Sequence, residues 1–123
     1  MAHKGKLLMY HGWSDQLVPT ETTISCYEDV AKKMGGVSKI DKQVRMFLAP
    51  GMGHCGGGDG PNSFDTLAAL EQWVEQGKAP EAMVASHSTA GKTDRTRPLC
   101  AYPKVPTFTG SGSIDDAANF VCK

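Results

Sequence analysis

The sequence lacks several features that would assign it to a class at once. Its 123 residues carry 13 Lys and Arg against 13 Asp and Glu, so no net charge attracts nucleic acid or an anionic membrane. No apolar segment approaches the ~20 residues that a membrane-spanning helix needs. No basic run is interleaved with aromatic residues. We therefore predict neither a nucleic-acid partner nor a membrane partner.

Cysteine motifs are also missing. Cys26, Cys55, Cys100 and Cys122 form no C-x-x-C pair, which argues against a structural zinc site and a thioredoxin-type redox motif. The last two bracket a tail rich in Pro, Gly, Thr and Ser. A disulfide across their 22-residue separation would stabilise the fold by ~3 kcal/mol. Such a bond indicates an oxidising compartment.

The amino terminus lacks a signal peptide's apolar core. Residues 1–6 read Met-Ala-His-Lys-Gly-Lys, a polar start that conflicts with an oxidising destination. We expect either a cytosolic chain or one whose natural amino terminus lies elsewhere. The length suits one domain, residues 1–123, with a modest core.

Apolar runs and glycines predict an α/β fold. Strands are expected at 6–10 and 43–48, joined by a helix from Thr20 to the glycines at 35–36, with a second helix at 64–76. We thus expect residues 5–78 to form a βαβα unit with parallel strands, and the first strand to be buried on both faces. We expect residues 79–123 to form an irregular tail. The first helix should bury a stripe of Ile24, Tyr27, Val30, Ala31 and Met34, leave Cys26 part-buried, and the second should bury Trp73.

A loop at residues 50–58 follows the second strand and presents one histidine, His54. Six of its nine residues are glycine or proline, so no regular helix or strand runs through it. Asp15 follows the first strand, and the carboxyl ends of parallel strands meet at one edge of a sheet. We expect Asp15 and His54 to lie within hydrogen-bonding reach, the aspartate fixing the imidazole tautomer so that the other nitrogen acts as a base. The alternative is that Asp15 only caps a turn.

The third member of an acyl-transfer triad is missing. None of the serines lies in a Gly-x-Ser-x-Gly nucleophile elbow, and Ser14 sits too close to Asp15 to reach across to His54. Two other functions therefore stay open. One is a non-catalytic module that self-associates through the strand at 6–10 as a homo-oligomer. The other is a metal site built from His54, Cys55 and a nearby carboxylate.

Four segments together resemble the C-terminal part of the tannase and feruloyl esterase family of α/β-hydrolases. They are Tyr10-His11-Gly12-Trp13-Ser14-Asp15-Gln16-Leu17-Val18-Pro19, the loop at 50–58, the segment at 70–80 and Arg97-Pro98-Leu99-Cys100-Ala101-Tyr102-Pro103. The resemblance implies that Asp15 is the acid and His54 the base of a Ser-His-Asp triad. It implies that Cys100 pairs with Cys122, and that Cys55 belongs to a disulfide whose partner precedes the serine.

The departures from the family pattern shape the expectation. The nucleophile elbow, its cysteine, the oxyanion-hole loop and the lid have no counterpart among these residues. We therefore expect a partial α/β-hydrolase: the last βαβα units of a parallel sheet plus a disulfide-closed tail. It would be the C-terminal portion of a secreted or periplasmic serine esterase acting on small phenolic or aromatic esters. The resemblance implies no cofactor, and the portion alone should be inactive, with Cys55 unpaired.

Overall fold

Short helices and strands follow one another along the computed structural model, which describes residues 3–123. In chain order they are β1 (Leu7–Gly12), α1 (Thr20–Lys33), α2 (Val37–Ile40), β2 (Val44–Ala49), α3 (Thr66–Gln76), β3 (Ala82–Thr89), β4 (Lys92–Cys100), β5 (Pro106–Phe108), a 3-10 turn (Ala117–Asn119) and β6 (Phe120–Cys122). None of the helices in this range is long and apolar enough to cross a bilayer.

Strands β1 and β2 pair in parallel, as the predicted βαβ unit requires. Their register runs from Leu7 opposite Val44 to Gly12 opposite Ala49, so both strands end level with each other. The two loops that follow, residues 13–19 and 50–60, therefore leave the same edge of the sheet. This alignment positions the candidate site.

The side chains of β2 alternate between two apolar clusters on opposite faces of the sheet. Val44 and Met46 pack with Tyr27 and Ala31 of α1. Phe47, Ala49, Met83, Ala85 and Leu99 form the other cluster, together with Met52 and Ala101. Leu48 also packs against the first cluster, so Val44, Met46 and Leu48 share one face of β2.

The prediction that β1 is buried on both faces is wrong. Leu7 and Tyr10 are 53% and 42% exposed. Within residues 3–123, β1 pairs with β2 alone, and its other edge has no strand beside it. An apolar run alone therefore does not show whether both faces of a strand are covered.

Helix α1 buries a narrower stripe than its sequence predicts. Tyr27 is 2% exposed, but Val30 and Met34 are 39% and 42% exposed, and Met34 lies beyond the helix end. Thr20 is the first helical residue, as predicted, and its hydroxyl donates to the carbonyl oxygen of Gly12 at 2.9 Å. That buried bond ties the start of the helix to the end of β1.

Helix α3 begins two residues later than predicted. Asp65 caps it by accepting a hydrogen bond from the N–H of Ala68 at 2.9 Å. Gly77 ends the helix in a left-handed conformation, as expected. Trp73 is 2% exposed, so its assignment to the core is confirmed.

The prediction of an irregular tail at 79–123 is wrong over most of its length. Strands β3 and β4 form an antiparallel hairpin, and β5 pairs with β6. The polar residues at 92–97 form the part of β4 that is exposed or half-buried, and the strand is buried from Pro98 onward. Ala90 and Gly91 both have positive φ, as the tight two-residue hairpin turn between these strands requires.

The disulfide between Cys100 and Cys122 is present, as the resemblance implies. It joins the end of β4 to β6 and so fastens the last strand to the hairpin. Cys26 and Cys55 are free and exposed. Cys26 is therefore more exposed than predicted, and it does not substitute as a partner for Cys55.

The disulfide should account for much of the stability of the C-terminal strands. A Cys100→Ala/Cys122→Ala variant should lose ~3 kcal/mol of unfolding free energy, because the open chain regains the freedom of a 22-residue loop. Urea unfolding followed by circular dichroism measures the loss. The exposed Cys26→Ala is the control, expected to change stability by less than about 0.5 kcal/mol. Equal stability of the double variant and the wild type would contradict the prediction.

Candidate active site

The two loops at the sheet edge are bonded to each other through their backbones. The N–H of Trp13 donates to the carbonyl oxygen of Ala49 at 3.0 Å, and the N–H of Ser14 donates to that of Met52 at 2.9 Å. The Met52 side chain is 1% exposed and belongs to the core. The glycine loop is therefore fixed at its start.

Glycine is required where the loop folds back on itself. Gly58 has φ of +94°, and a Cβ there would lie 2.1 Å from the carbonyl oxygen of Gly51. The N–H of Gly53 donates to the carbonyl oxygen of Gly57 at 3.0 Å, which closes the turn around His54. The glycines thus build a compact turn that holds the histidine beside the Asp15 loop.

Asp15 and His54 are brought together as predicted. The Nδ1 of His54 lies 2.8 Å from Oδ2 of Asp15, and the N–H groups of Leu17 and Val18 donate to Oδ1 at 2.8 and 3.0 Å. The Asp15 side chain is 4% exposed, whereas that of His54 is 46% exposed. Asp15 also caps its own turn, so the turn-capping bonds and the contact with His54 are present together.

The charge on Asp15 follows from these contacts. The N–H of Val18 holds the pKa of Asp15 well below its usual range, helped by His54 and Leu17 and opposed by burial. Asp15 is therefore ionised at neutral pH and accepts a hydrogen bond from the Nδ1–H of His54. The other ring nitrogen, Nε2, stays available for proton transfer, and it has no hydrogen-bond partner within residues 3–123.

A second histidine stands beside Asp15, and sequence reasoning missed it. The Nε2 of His11 donates to the carbonyl oxygen of Val18 at 3.1 Å and lies 3.1 Å from Oδ2 of Asp15. Its Nδ1 lies 2.7 Å from the hydroxyl of Thr23 on α1. The available signal was the four-residue spacing between His11 and Asp15 at a strand end, which was interpreted only as the closing of a strand.

Clefts adjoin the pair on the surface. One, of about 530 Å³, is lined by His54, Ser14, Leu17 and glycine-loop residues. A smaller one, of about 230 Å³, is lined by Asp15, His54, Cys55 and Tyr10 among others. Ser14 shares the larger cleft with His54, but no hydrogen bond joins the two side chains in the described part of the chain.

Metal binding finds no support in the arrangement. Among residues 3–123, no group of three or more His, Cys, Asp or Glu side chains could hold a metal ion. At Asp15, the nearest nitrogens of His54 and His11 carry hydrogens directed at oxygen acceptors. A nitrogen that donates a proton in this way has no lone pair to offer a metal.

Comparison with known proteins gives a consistent result. A family model described as tannase and feruloyl esterase matches residues 1–123. A mono(2-hydroxyethyl) terephthalate hydrolase from Piscinibacter sakaiensis is 43% identical over 121 residues, and a probable feruloyl esterase from Arthroderma benhamiae is 45% identical over 121 residues. The solved structure of feruloyl esterase B from Aspergillus oryzae matches with a TM-score of 0.90 at 31% identity.

The coverage of these matches is unequal. They include 96%, 95% and 97% of this chain, but only 20%, 22% and 27% of the respective relatives. The chain thus spans about a fifth to a quarter of the length of these proteins. The matched esterases have an α/β-hydrolase-like fold, which agrees with the parallel β1–β2 pair seen here.

The close approach of the two loops at Gly12 should not tolerate a side chain. A Cβ there would lie 2.3 Å from the carbonyl oxygen of Met52 and 2.5 Å from that of Gly53. Gly12→Ala should therefore push the glycine loop away and destabilise the fold by about 1–3 kcal/mol in urea unfolding. Gly5→Ala, where nothing lies within 4 Å, is the matched control. A Gly12→Ala protein as stable as this control would show that the loops approach less closely.

The lowered pKa of Asp15 predicts an acid-dependent loss of stability. Because the folded-state pKa lies below the unfolded value of 3.8, the contribution is full above that pH and declines as the pH falls towards the folded value. The stability difference between wild type and Asp15→Asn should therefore stay constant above about pH 5 and shrink as the pH falls from about 5 to about 2.5 in urea titrations.

Asp94→Asn is the matched comparison, since the hydroxyl of Thr89 and the imidazole of His87 also lower the pKa of Asp94. The Asp94 side chain is 43% exposed, so water screens its contacts and its effect should be smaller. If the stability difference between wild type and Asp15→Asn stayed constant down to about pH 2.5, the lowered pKa of Asp15 would be ruled out.

Proposed function

The chain belongs to the tannase and feruloyl esterase family, and from that membership we propose that it supplies the acid and the base of a serine esterase. Asp15 is the acid and His54 the base of a Ser-His-Asp triad, and the serine comes from another part of a longer enzyme. The chain alone has no triad-type activity. As the C-terminal portion of an α/β-hydrolase domain, it completes the catalytic machinery.

The observation that carries this proposal is the 2.8 Å contact between Nδ1 of His54 and Oδ2 of Asp15, with Nε2 unpaired in the described residues. In the proposed reaction Nε2 takes the serine hydroxyl proton as Oγ attacks the ester carbonyl carbon, and it then protonates the departing alcohol. The same nitrogen next removes a proton from the water that attacks the acyl-enzyme, and it returns that proton to the serine Oγ as the bond between Oγ and the acyl carbon breaks. Asp15 stabilises the imidazolium formed in both steps.

The absence of an elbow motif supports a serine supplied from elsewhere. No serine in this sequence lies in Gly-x-Ser-x-Gly, and the matched relatives are four to five times longer than the region they share with this chain. We place the serine, the oxyanion-hole loop and the lid in the remainder of such an enzyme. Ser14, which lines the cleft with His54, is the competing nucleophile that an experiment must exclude.

Two features of the surface suit a junction with that remainder. The outer edge of β1 has no strand beside it within residues 3–123, and Leu7 and Tyr10 are exposed there. Cys55 is exposed and free directly after His54. The family resemblance pairs this cysteine with one that precedes the serine. Such a disulfide would hold the serine-bearing loop close to the histidine.

The proposed substrates are esters of small aromatic acids in an extracytoplasmic setting. The relatives named above are a feruloyl esterase and a hydrolase of a terephthalate monoester, and both names denote esters of aromatic carboxylic acids. The Cys100–Cys122 disulfide favours a secreted or periplasmic enzyme, because such bonds persist in oxidising compartments. The choice among aromatic esters would belong to the lid.

Self-association is the second candidate function. It is favoured by the free edge of β1, which offers backbone N–H and carbonyl groups to a second copy of the chain. A non-catalytic module of this kind would need neither Asp15 nor His54. Light scattering of the isolated chain, together with the exchange experiment below, separates the two candidates.

A segment exchange tests the proposed function directly. This chain would replace the 121-residue segment that it matches in the terephthalate monoester hydrolase. We expect the hybrid to hydrolyse aromatic esters, with a loss of about 10⁶-fold in kcat for His54→Ala and about 10⁴-fold for Asp15→Ala. The isolated chain should show no turnover above background in the same spectrophotometric assay.

The controls use other residues of this chain. His87→Ala removes a histidine that also contacts an aspartate, Asp94 at 2.6 Å, and should leave the hybrid fully active. Ser14→Ala should do the same. A folded but inactive hybrid, or an isolated chain whose activity depends on Ser14, would overturn the proposal. An inactive hybrid, together with dimerisation of the isolated chain, would favour the self-associating module.

A further inference from the structure

We propose that His11 is a positioning residue for the Asp15–His54 pair. Its imidazole fixes the turn that holds the Asp15 carboxylate and thereby keeps His54 in the Nδ1–H tautomer. The inference rests on the proposed function, because it assigns His11 a part in preparing the base. His11 itself contacts neither substrate nor serine in this account.

The contacts of the ring fix its proton. The Nε2 of His11 faces two acceptors, the carbonyl oxygen of Val18 and Oδ2 of Asp15, each at 3.1 Å. A nitrogen between two oxygens must carry a hydrogen, and the hydrogen bond goes to Val18. In the neutral ring Nδ1 is then the acceptor, so the hydroxyl of Thr23 donates to it across 2.7 Å.

These bonds join the elements that build the site. His11 lies in β1, Thr23 in α1, and Val18 in the loop between them. Val18 is held by its carbonyl oxygen to His11 and donates its own N–H to Oδ1 of Asp15 at 3.0 Å. The chain Thr23–His11–Val18–Asp15–His54 therefore runs without a break from the helix to the catalytic base.

Burial makes these contacts hard to replace. The side chains of His11 and Asp15 are 11% and 4% exposed, so little water can reach the space between them. Without the imidazole of His11, the carbonyl oxygen of Val18 would lose its hydrogen-bond donor. Oδ2 of Asp15 would lose the neighbouring N–H group. The turn could then relax, and the acceptor that selects the Nδ1–H form of His54 would no longer be held in place.

A second Asp–His pair in the same chain provides the contrast. On the β3–β4 hairpin, Nδ1 of His87 lies 2.6 Å from Oδ1 of Asp94, and the hydroxyl of Thr89 bonds the other carboxylate oxygen. No other histidine contacts Asp94 in the described part of the chain. The His87 pair therefore reports what a carboxylate–imidazole contact does without a companion ring.

The test uses the isolated ¹⁵N-labelled chain, whose ring-nitrogen shifts give the tautomer of each histidine by NMR. Wild-type His54 should be predominantly the Nδ1–H form. His11→Phe, which keeps the ring shape without its nitrogens, should raise the ratio of the Nε2–H form to the Nδ1–H form by about tenfold. His11→Gln, whose amide can still donate to Val18, should restore most of the wild-type ratio.

The controls separate positioning from general damage. His87 should keep its wild-type tautomer in His11→Phe, because its partner lies on the hairpin. Thr23→Val removes only the hydroxyl bonded to His11 and should shift His54 in the same direction by a smaller factor. If His11→Phe does not fold, Thr23→Val decides alone. An unchanged His54 tautomer in the folded variants would overturn the proposal.

Failure of this inference is distinguishable from failure of the proposed function. The NMR measurement needs neither serine nor ester, so it tests only whether His11 controls His54. An inactive hybrid enzyme with a normal His11 effect would contradict the esterase assignment alone. An active hybrid with no His11 effect would contradict the positioning role alone.

Discussion

The Asp15 carboxylate is the interaction on which the rest of the site depends. A charged group only 4% exposed is costly to remove from water unless donors replace the lost hydration. The N–H groups of Leu17 and Val18 and the imidazole of His54 supply those donors. These hydrogen bonds also constrain the donors. The buried carboxylate fixes the turn at 15–18 and holds the exposed imidazole of His54 in one orientation.

The backbone geometry of the sheet and of the two loops brings these donors close to Asp15. Parallel pairing of β1 and β2 ends both strands at one level, and the absence of a Cβ at Gly12 lets the two loops touch through backbone atoms. Met52 anchors the glycine loop in the core on the other side of the contact. The site therefore draws its rigidity from the sheet, whereas the glycines supply the shape of the turn.

Sequence patterns predicted the parts of this arrangement that depend on local order and missed those that depend on neighbours. The βαβ unit, the Asp15–His54 contact and the core position of Trp73 follow from apolar runs, strand ends and helical spacing. The β3–β4 hairpin was missed because residues 92–97 of β4 are all polar, and composition alone cannot tell a solvated strand from a loop. His11 was missed because its role is set by Thr23 and Val18, which meet it only in the folded chain. The exposure of Leu7 and Tyr10 was missed because an apolar run does not show whether a strand has neighbours on both sides, and within residues 3–123 β1 pairs with β2 alone.

The contacts that orient the imidazole of His54 are all made within this chain. Nδ1 of His54, both oxygens of Asp15 and the ring of His11 find their partners between residues 11 and 54, so the base can be set in its tautomer without the serine. What the structure leaves open lies on the opposite side of the imidazole, at Nε2, and along the free edge of β1. A preformed acid–base pair pays no reorganisation cost when a nucleophile arrives, because its dipoles already point where charge develops. In the proposed enzyme, the contacts of this chain at Nδ1 orient the imidazole of His54. The serine and the groups that choose the substrate lie on the side of Nε2 and come from the rest of the enzyme.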